Sequence, residues 1–326
     1  MKGKIGLILR VGISVGLIAF LLWSMRDHFP RIAGTLGRTA PILFVLAVLF
    51  FIFDVGLVLP LRLKLLFTGE GLAIPFSRII QLTYIGYFFN NFMPTAVGGD
   101  IVKAYYVYKQ TNQKAKSFIS VFMDRFVGLF SFVFIAIIAL FFSWENIDLI
   151  LKKIVLVFSL FFVIAFLFIL NSAIAKVILN ALSRFKLWNI GEKLSKVYRA
   201  VHEYRNKKSI ILIAIGISAA AQSIYFSMIY LLARSLGAEI PVMTVFLLMP
   251  IISVVSMLPS LGGLGLREGA IVVLFGPLIG SDNAFSISIL LLAILLIVSL
   301  AGAVIYITAS QFRIKEAITE IESYSV

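Results

Sequence analysis

The sequence contains no cysteine, which excludes disulfides, thiolate metal sites and cysteine nucleophiles. It contains two histidines, His28 and His202. Both lie between apolar runs, which argues against a histidine-based metal centre. Charge is scarce: 13% of the 326 residues are Asp, Glu, Lys or Arg, against about 25% in a soluble domain. Nucleotide signatures are missing too. There is no P-loop, and Gly263-Leu264-Gly265 is followed by Gly269, one residue too far for a dinucleotide fingerprint and with no strand before it. No cofactor and no metal is expected.

What is present is apolar. Hydrophobic residues make up 61% of the chain, and the mean hydropathy is +1.07. Such an inventory cannot cover a water-facing surface, whereas runs of about 20 apolar residues span a bilayer. The net charge is +14. In a membrane protein this fits cytoplasmic loops facing anionic lipid, and no nucleic-acid partner is expected.

Six runs read as full spans: 5–25, 42–61, 118–142, 154–170, 210–232 and 285–309. The first lacks a small-residue cleavage site and is read as a retained helix. Two further regions, 79–108 and 242–279, are apolar but broken at their centres. The first break holds Asn90, Asn91, Pro94, Gly98, Gly99 and Asp100. The second holds Pro259, Gly262, Gly263, Gly265, Arg267 and Glu268. These residues end helices. If each region enters and leaves on one side, with both termini in the cytoplasm, 21 of the 29 Lys and Arg fall inside, Arg62 and Lys64 among them, and six outside. That bias is the one membrane insertion follows. The stretch 172–208 has apolar residues at helical spacing and a basic opposite face, which suits an amphipathic element on the inner leaflet. The expected fold is a single all-α polytopic domain over 1–326, with six transmembrane helices and two opposed re-entrant broken-helix hairpins.

The two breaks share an order: proline, hydroxyl residue, Gly-Gly, then a cation four residues after the second glycine, Lys103 in one and Arg267 in the other. Entered from opposite sides, they make an inverted repeat, an architecture that gathers broken helices at the midplane for binding. Unwound backbone survives in hydrocarbon only beside protein or a polar cavity. Half-helix N-termini attract anions, so a phosphate is the expected guest. Ionisable residues inside spans point to function. Arg125 and Arg267 suit phosphate through their guanidinium forks. Asp124 is a candidate ion-pair partner of Arg125 or of a neighbouring hairpin cation. Asp54 is a candidate proton carrier.

Asn91-Phe92-Met93-Pro94 with Gly98-Gly99-Asp100, then Asp124-Arg125-Phe126-Val127-Gly128, then Leu258-Pro259 with Gly263-Leu264-Gly265-Leu266-Arg267-Glu268-Gly269 resemble, in that order, the motifs of the lysylphosphatidylglycerol synthase transmembrane region family, also called the flippase-like or UPF0104 family. The resemblance implies a module that moves a lipid between leaflets. In two-part members a soluble domain aminoacylates phosphatidylglycerol and the membrane part flips the product; stand-alone members handle other lipids, including polyprenyl-phosphate types. This chain is expected to lack the synthase domain, and to be a translocator rather than an enzyme. The site residues implied are Asn91, Pro94, Gly98, Gly99, Asp100, Asp124, Arg125, Pro259, Gly265, Arg267, Glu268 and Gly269. Lys103 and Gly263 join them from the shared order of the breaks.

The expected partner is an anionic membrane lipid in the cytoplasmic membrane, with a second copy or a separate synthase or transferase as candidate protein partners. Two rival functions stay open. One is a membrane-embedded glycolipid or aminoacyl-lipid transferase component, with Asp100 and Glu268 as acid or base. The other is a secondary transporter of a soluble anion.

Overall fold

The computed structural model describes residues 29–93, 97–146, 149–170, 207–258, 260 and 263–309, with isolated positions 19, 23 and 26. All regular structure among them is helical. In chain order the helices are α1 Phe29–Gly37, α2 Pro41–Gly69, α3 Phe76–Phe92, α4 Gly98–Thr111, α5 Lys114–Ser143, α6 Leu149–Leu170, α7 Lys208–Ser235, α8 Val242–Val255, α9 Leu266–Ile279 and α10 Ser281–Thr308.

Among the described residues, four helices are long and apolar enough to cross a membrane: α2, α5, α7 and α10. They contain the expected runs 42–61, 118–142, 210–232 and nearly all of 285–309. The run 154–170 lies within the 22-residue α6. Nearly all of the run 5–25 and of the basic stretch 172–208 falls outside the described residues. Large apolar side chains remain exposed along one side of these helices, for example Ile42, Val45, Leu49 and Phe53 on α2, and Leu300, Val304 and Ile307 on α10. Their three- and four-residue spacing makes a continuous stripe. A stripe of this size faces lipid in a membrane protein.

Helix α2 departs from its expected end. It continues to Gly69, so Arg62 and Lys64 lie within a helix and not in a loop. Its length of 29 residues corresponds to roughly 44 Å at 1.5 Å per residue. Midway, Asp54–Val58 widen into a π-helical turn, in which the Leu59 N–H reaches back to the Asp54 carbonyl. Pro60 follows at once. A proline ring collides with the carbonyl four residues earlier and brings no N–H; a widened turn relieves both.

Both expected breaks are present. α3 ends at Phe92, and Met93 is extended, as a residue before proline prefers. α4 begins at Gly98 and packs back against α3. The second broken region, 242–279, runs from the first residue of α8 to the last of α9. The helices then pack reciprocally: α3 lies on α10, α8 lies on α5, and the long helices α2 and α7 lie on each other. Each half thus reads long helix, short helix, break, short helix, long helix. The shared core is apolar, built on Phe51, Phe226, Phe275 and neighbouring aliphatic side chains.

Candidate functional site

Arg62 lies on the buried face of α2, with 6% of its surface exposed. Its Nε donates to Asp124 Oδ1 at 2.6 Å, and its Nη1 donates to Ser218 Oγ at 2.9 Å. One guanidinium therefore ties α2 to α5 and α7. Gly128, one turn after Asp124, makes this arrangement fit: a Cβ there would stand 3.3 Å from Arg62 Nη1. The hydrogen-bonded partner of Asp124 is thus Arg62, a cation that the sequence reading counts on the inner side beyond the second span.

Arg125 turns to the first break. Its Nε donates to Asp100 Oδ2. Lys103 Nζ lies 2.8 Å from Asp100 Oδ1, one turn along α4. Asp100 is thereby held between two cations from two helices. Two glycines allow the approach. A Cβ on Gly99 would strike the Gly86 carbonyl, and a Cβ on Gly86 would lie 3.0 Å from Lys103 Cε. Small residues of this kind let membrane helices come into close contact. The Gly99 N–H donates to Asn90 Oδ1 at 2.8 Å. Asn91 Nδ2 donates to Ser299 Oγ at 2.5 Å, joining α3 to α10.

The second break ends in a cap. Gly265 has φ +82°, a conformation that favours glycine. Its N–H donates to Glu268 Oε2 at 2.6 Å, the half of a capping box that secures a helix start. Glu268 Oε1 accepts from Arg267 Nε at 3.1 Å and Nη2 at 2.5 Å. Both oxygens of Glu268 are therefore engaged. The Gly99 and Gly265 amides therefore already have acceptors within the chain.

These groups converge on one cavity of about 280 Å³. Of the sequence-derived candidates, Asp54, Asn91, Asp100, Lys103, Asp124, Arg125, Gly263 and Arg267 line it. Gly98, Gly99, Gly265, Glu268 and Gly269 do not; Gly99 serves helix packing, and Gly265 with Glu268 forms the cap. Pro94 and Pro259 lie outside the described residues. Arg62, Tyr87 and Tyr225 line the cavity and were not among the candidates. The signal for Arg62 was available, since the apolar pattern continues through Leu63, Leu65, Leu66 and Phe67. Apart from Asp54, the carboxylates are committed to cations, and no cluster of three or more metal-ligating side chains occurs among the described residues.

Comparison with known proteins agrees with the motifs. The family model described as the lysylphosphatidylglycerol synthase TM region matches residues 7–303. Two proteins of Methanothermobacter thermautotrophicus, each described as a UPF0104 membrane protein, are similar along most of their length. One is 24% identical over 285 residues, covering 81% of this chain and 83% of the relative. The other is 25% identical over 303 residues, covering 85% and 86%.

Proposed function

The chain belongs to the lysylphosphatidylglycerol synthase transmembrane region family, and from that premise we propose that this multi-pass membrane protein translocates a lipid with an anionic phosphate headgroup between leaflets. The observation that carries the reading is the convergence of Arg62, Lys103, Arg125 and Arg267 on one cavity amid apolar helices. Cations are expensive in hydrocarbon and persist there for a function or a partner. A volume of about 280 Å³ suits a phosphate-bearing headgroup but not acyl chains, which stay in the bilayer. Regions 79–108 and 242–279 then act as opposed re-entrant hairpins of an inverted repeat. The reciprocal packing of α3 on α10 and α8 on α5 supports that symmetry. Rocking of one half against the other would open the cavity to each side in turn.

In this mechanism Arg125 and Arg267 exchange part of their bonding with Asp100 and Glu268 for the phosphate oxygens. Arg125 is half-buried, with 30% of its side chain exposed, which leaves it accessible to a ligand. Charge-assisted bonds replace charge-assisted bonds, so the two guanidinium groups keep anionic partners as the headgroup enters. The test is reconstitution into vesicles carrying fluorescent phosphatidylglycerol, with dithionite bleaching of the outer leaflet. Protein-dependent exchange that falls on Arg267→Ala supports the reading. No exchange with any anionic lipid, or exchange indifferent to that substitution, overturns it.

A further inference from the structure

Asp54 lies near the middle of α2, on the π-helical turn. It lines the cavity and is 3% exposed. Its Oδ1 is enclosed and has no hydrogen-bond partner. No ion pair reaches it among the described residues. Of the two cations on its own helix, Lys64 donates to the Ile74 carbonyl and Arg62 is committed to Asp124 and Ser218. The titratable groups that face Asp54 are Arg62, Tyr87 from α3 and Tyr225 from α7; Asp124 and Arg125 of α5 line the same cavity.

The charges of the site then count in a definite way. Arg62, Lys103, Arg125 and Arg267 stand against Asp100, Asp124 and Glu268. With Asp54 ionised the group is neutral. With Asp54 protonated it carries one positive charge, which one phosphodiester headgroup cancels. A net charge held in a low-dielectric interior is costly. Two states avoid it: Asp54 ionised with no lipid phosphate seated, and Asp54 protonated with one seated.

From this we infer that Asp54 is a proton-coupling site and that the protein carries one proton together with each lipid anion. The inference rests on the lipid-translocating reading of the same cavity. The proton joins the Asp54 carboxylate from water on the loading side and returns to water on the other side. No covalent bond of the lipid changes, and the loaded site is electroneutral.

The experiment uses the full chain in phosphatidylcholine vesicles holding a trace of fluorescent phosphatidylglycerol, with a pH gradient imposed across the membrane. A gradient of about one pH unit should shift the leaflet ratio of the probe by about tenfold, since a pH unit and a tenfold ratio are the same free energy. In Asp54→Asn the ratio should no longer follow the gradient. Leaflet exchange indifferent to the gradient in the wild type removes this inference and leaves the proposed function standing; no exchange of this probe or of any other anionic lipid removes both. A second measurement needs no transport. On addition of phosphatidylglycerol, infrared difference spectra should gain a carboxylic-acid C=O band that Asp54→Asn abolishes, or that Asp54→Glu shifts should the asparagine variant not fold. Lipid binding without such a band overturns the inference.

Discussion

Arg62 of α2 and Asp124 of α5, 62 positions apart in the chain, form a buried ion pair with Arg62 Nε 2.6 Å from Asp124 Oδ1. The pair locks two long helices at the cavity wall. Breaking a buried pair leaves one charge uncompensated, at a cost of about 3–5 kcal/mol. Asp124→Ala should therefore lower thermal stability in detergent by an amount of that order. Removing both charges, in Arg62→Met with Asp124→Leu, should recover most of the loss. Recovery of the fold without recovery of lipid exchange would separate the structural role of the pair from the use of Arg62 on the ligand.

Close helix contact at the first break gives a second prediction. Gly99→Ala forces a Cβ onto the Gly86 carbonyl of the neighbouring helix. Overpacking of this kind costs roughly 1–3 kcal/mol. Gly216→Ala is the matched control on α7, because a Cβ there meets nothing within 4 Å. Replacing glycine at a compatible position stabilises by about 0.4–1 kcal/mol. Thermal unfolding of the two variants side by side should move in opposite directions.

Arg267 tests charge against geometry. Its Nε and Nη2 both engage Glu268, and a lysine cannot reproduce that fork. Arg267→Lys should keep the charge yet reduce leaflet exchange, by roughly tenfold if about 1.4 kcal/mol of headgroup binding is lost. Equal exchange rates for Arg and Lys would mean that charge alone matters at this position.

Glu268 accepts from the Gly265 N–H and pairs with Arg267, and on the translocator reading its role is to cap α9 and hold that arginine. Glu268→Gln keeps an oxygen for the Gly265 N–H, whereas Glu268→Ala does not. Loss of a cap costs about 1 kcal/mol. The alanine variant should be less stable than the glutamine variant, and lipid extracts from cells with either should contain no altered chemical species. A lipid product that depends on the Glu268 carboxylate would instead favour the transferase reading.

Much of this arrangement is written locally in the chain. Proline with Gly-Gly marks each break because those residues disfavour a continuous helix, and the run Asp124 to Gly128 places a carboxylate and a cleft one turn apart. The boundaries of α8 and α9 follow from Val242 and Ile279 at the edges of an apolar stretch. Partnership was harder to read. Which cation meets Asp124 depends on how α2 packs on α5, and sequence spacing holds no such information. Arg62 also sits just beyond a span-length window, so charge alone counts it on the inner side, although the widened turn accommodates Pro60 and the helix runs on through Arg62. The roles of Gly99 and Gly128 follow from what lies opposite them, namely the Gly86 carbonyl and the Arg62 guanidinium.

The central claim is that the cavity between the two breaks seats an anionic lipid headgroup. Native mass spectrometry of the protein released gently from detergent tests it most directly. The account predicts a phosphate-bearing lipid retained at about one per chain, enriched over its share of the membrane, and lost when Arg125 and Arg267 are both changed to alanine. Retained lipid that mirrors bulk composition, or that survives the double substitution unchanged in a folded protein, would contradict it.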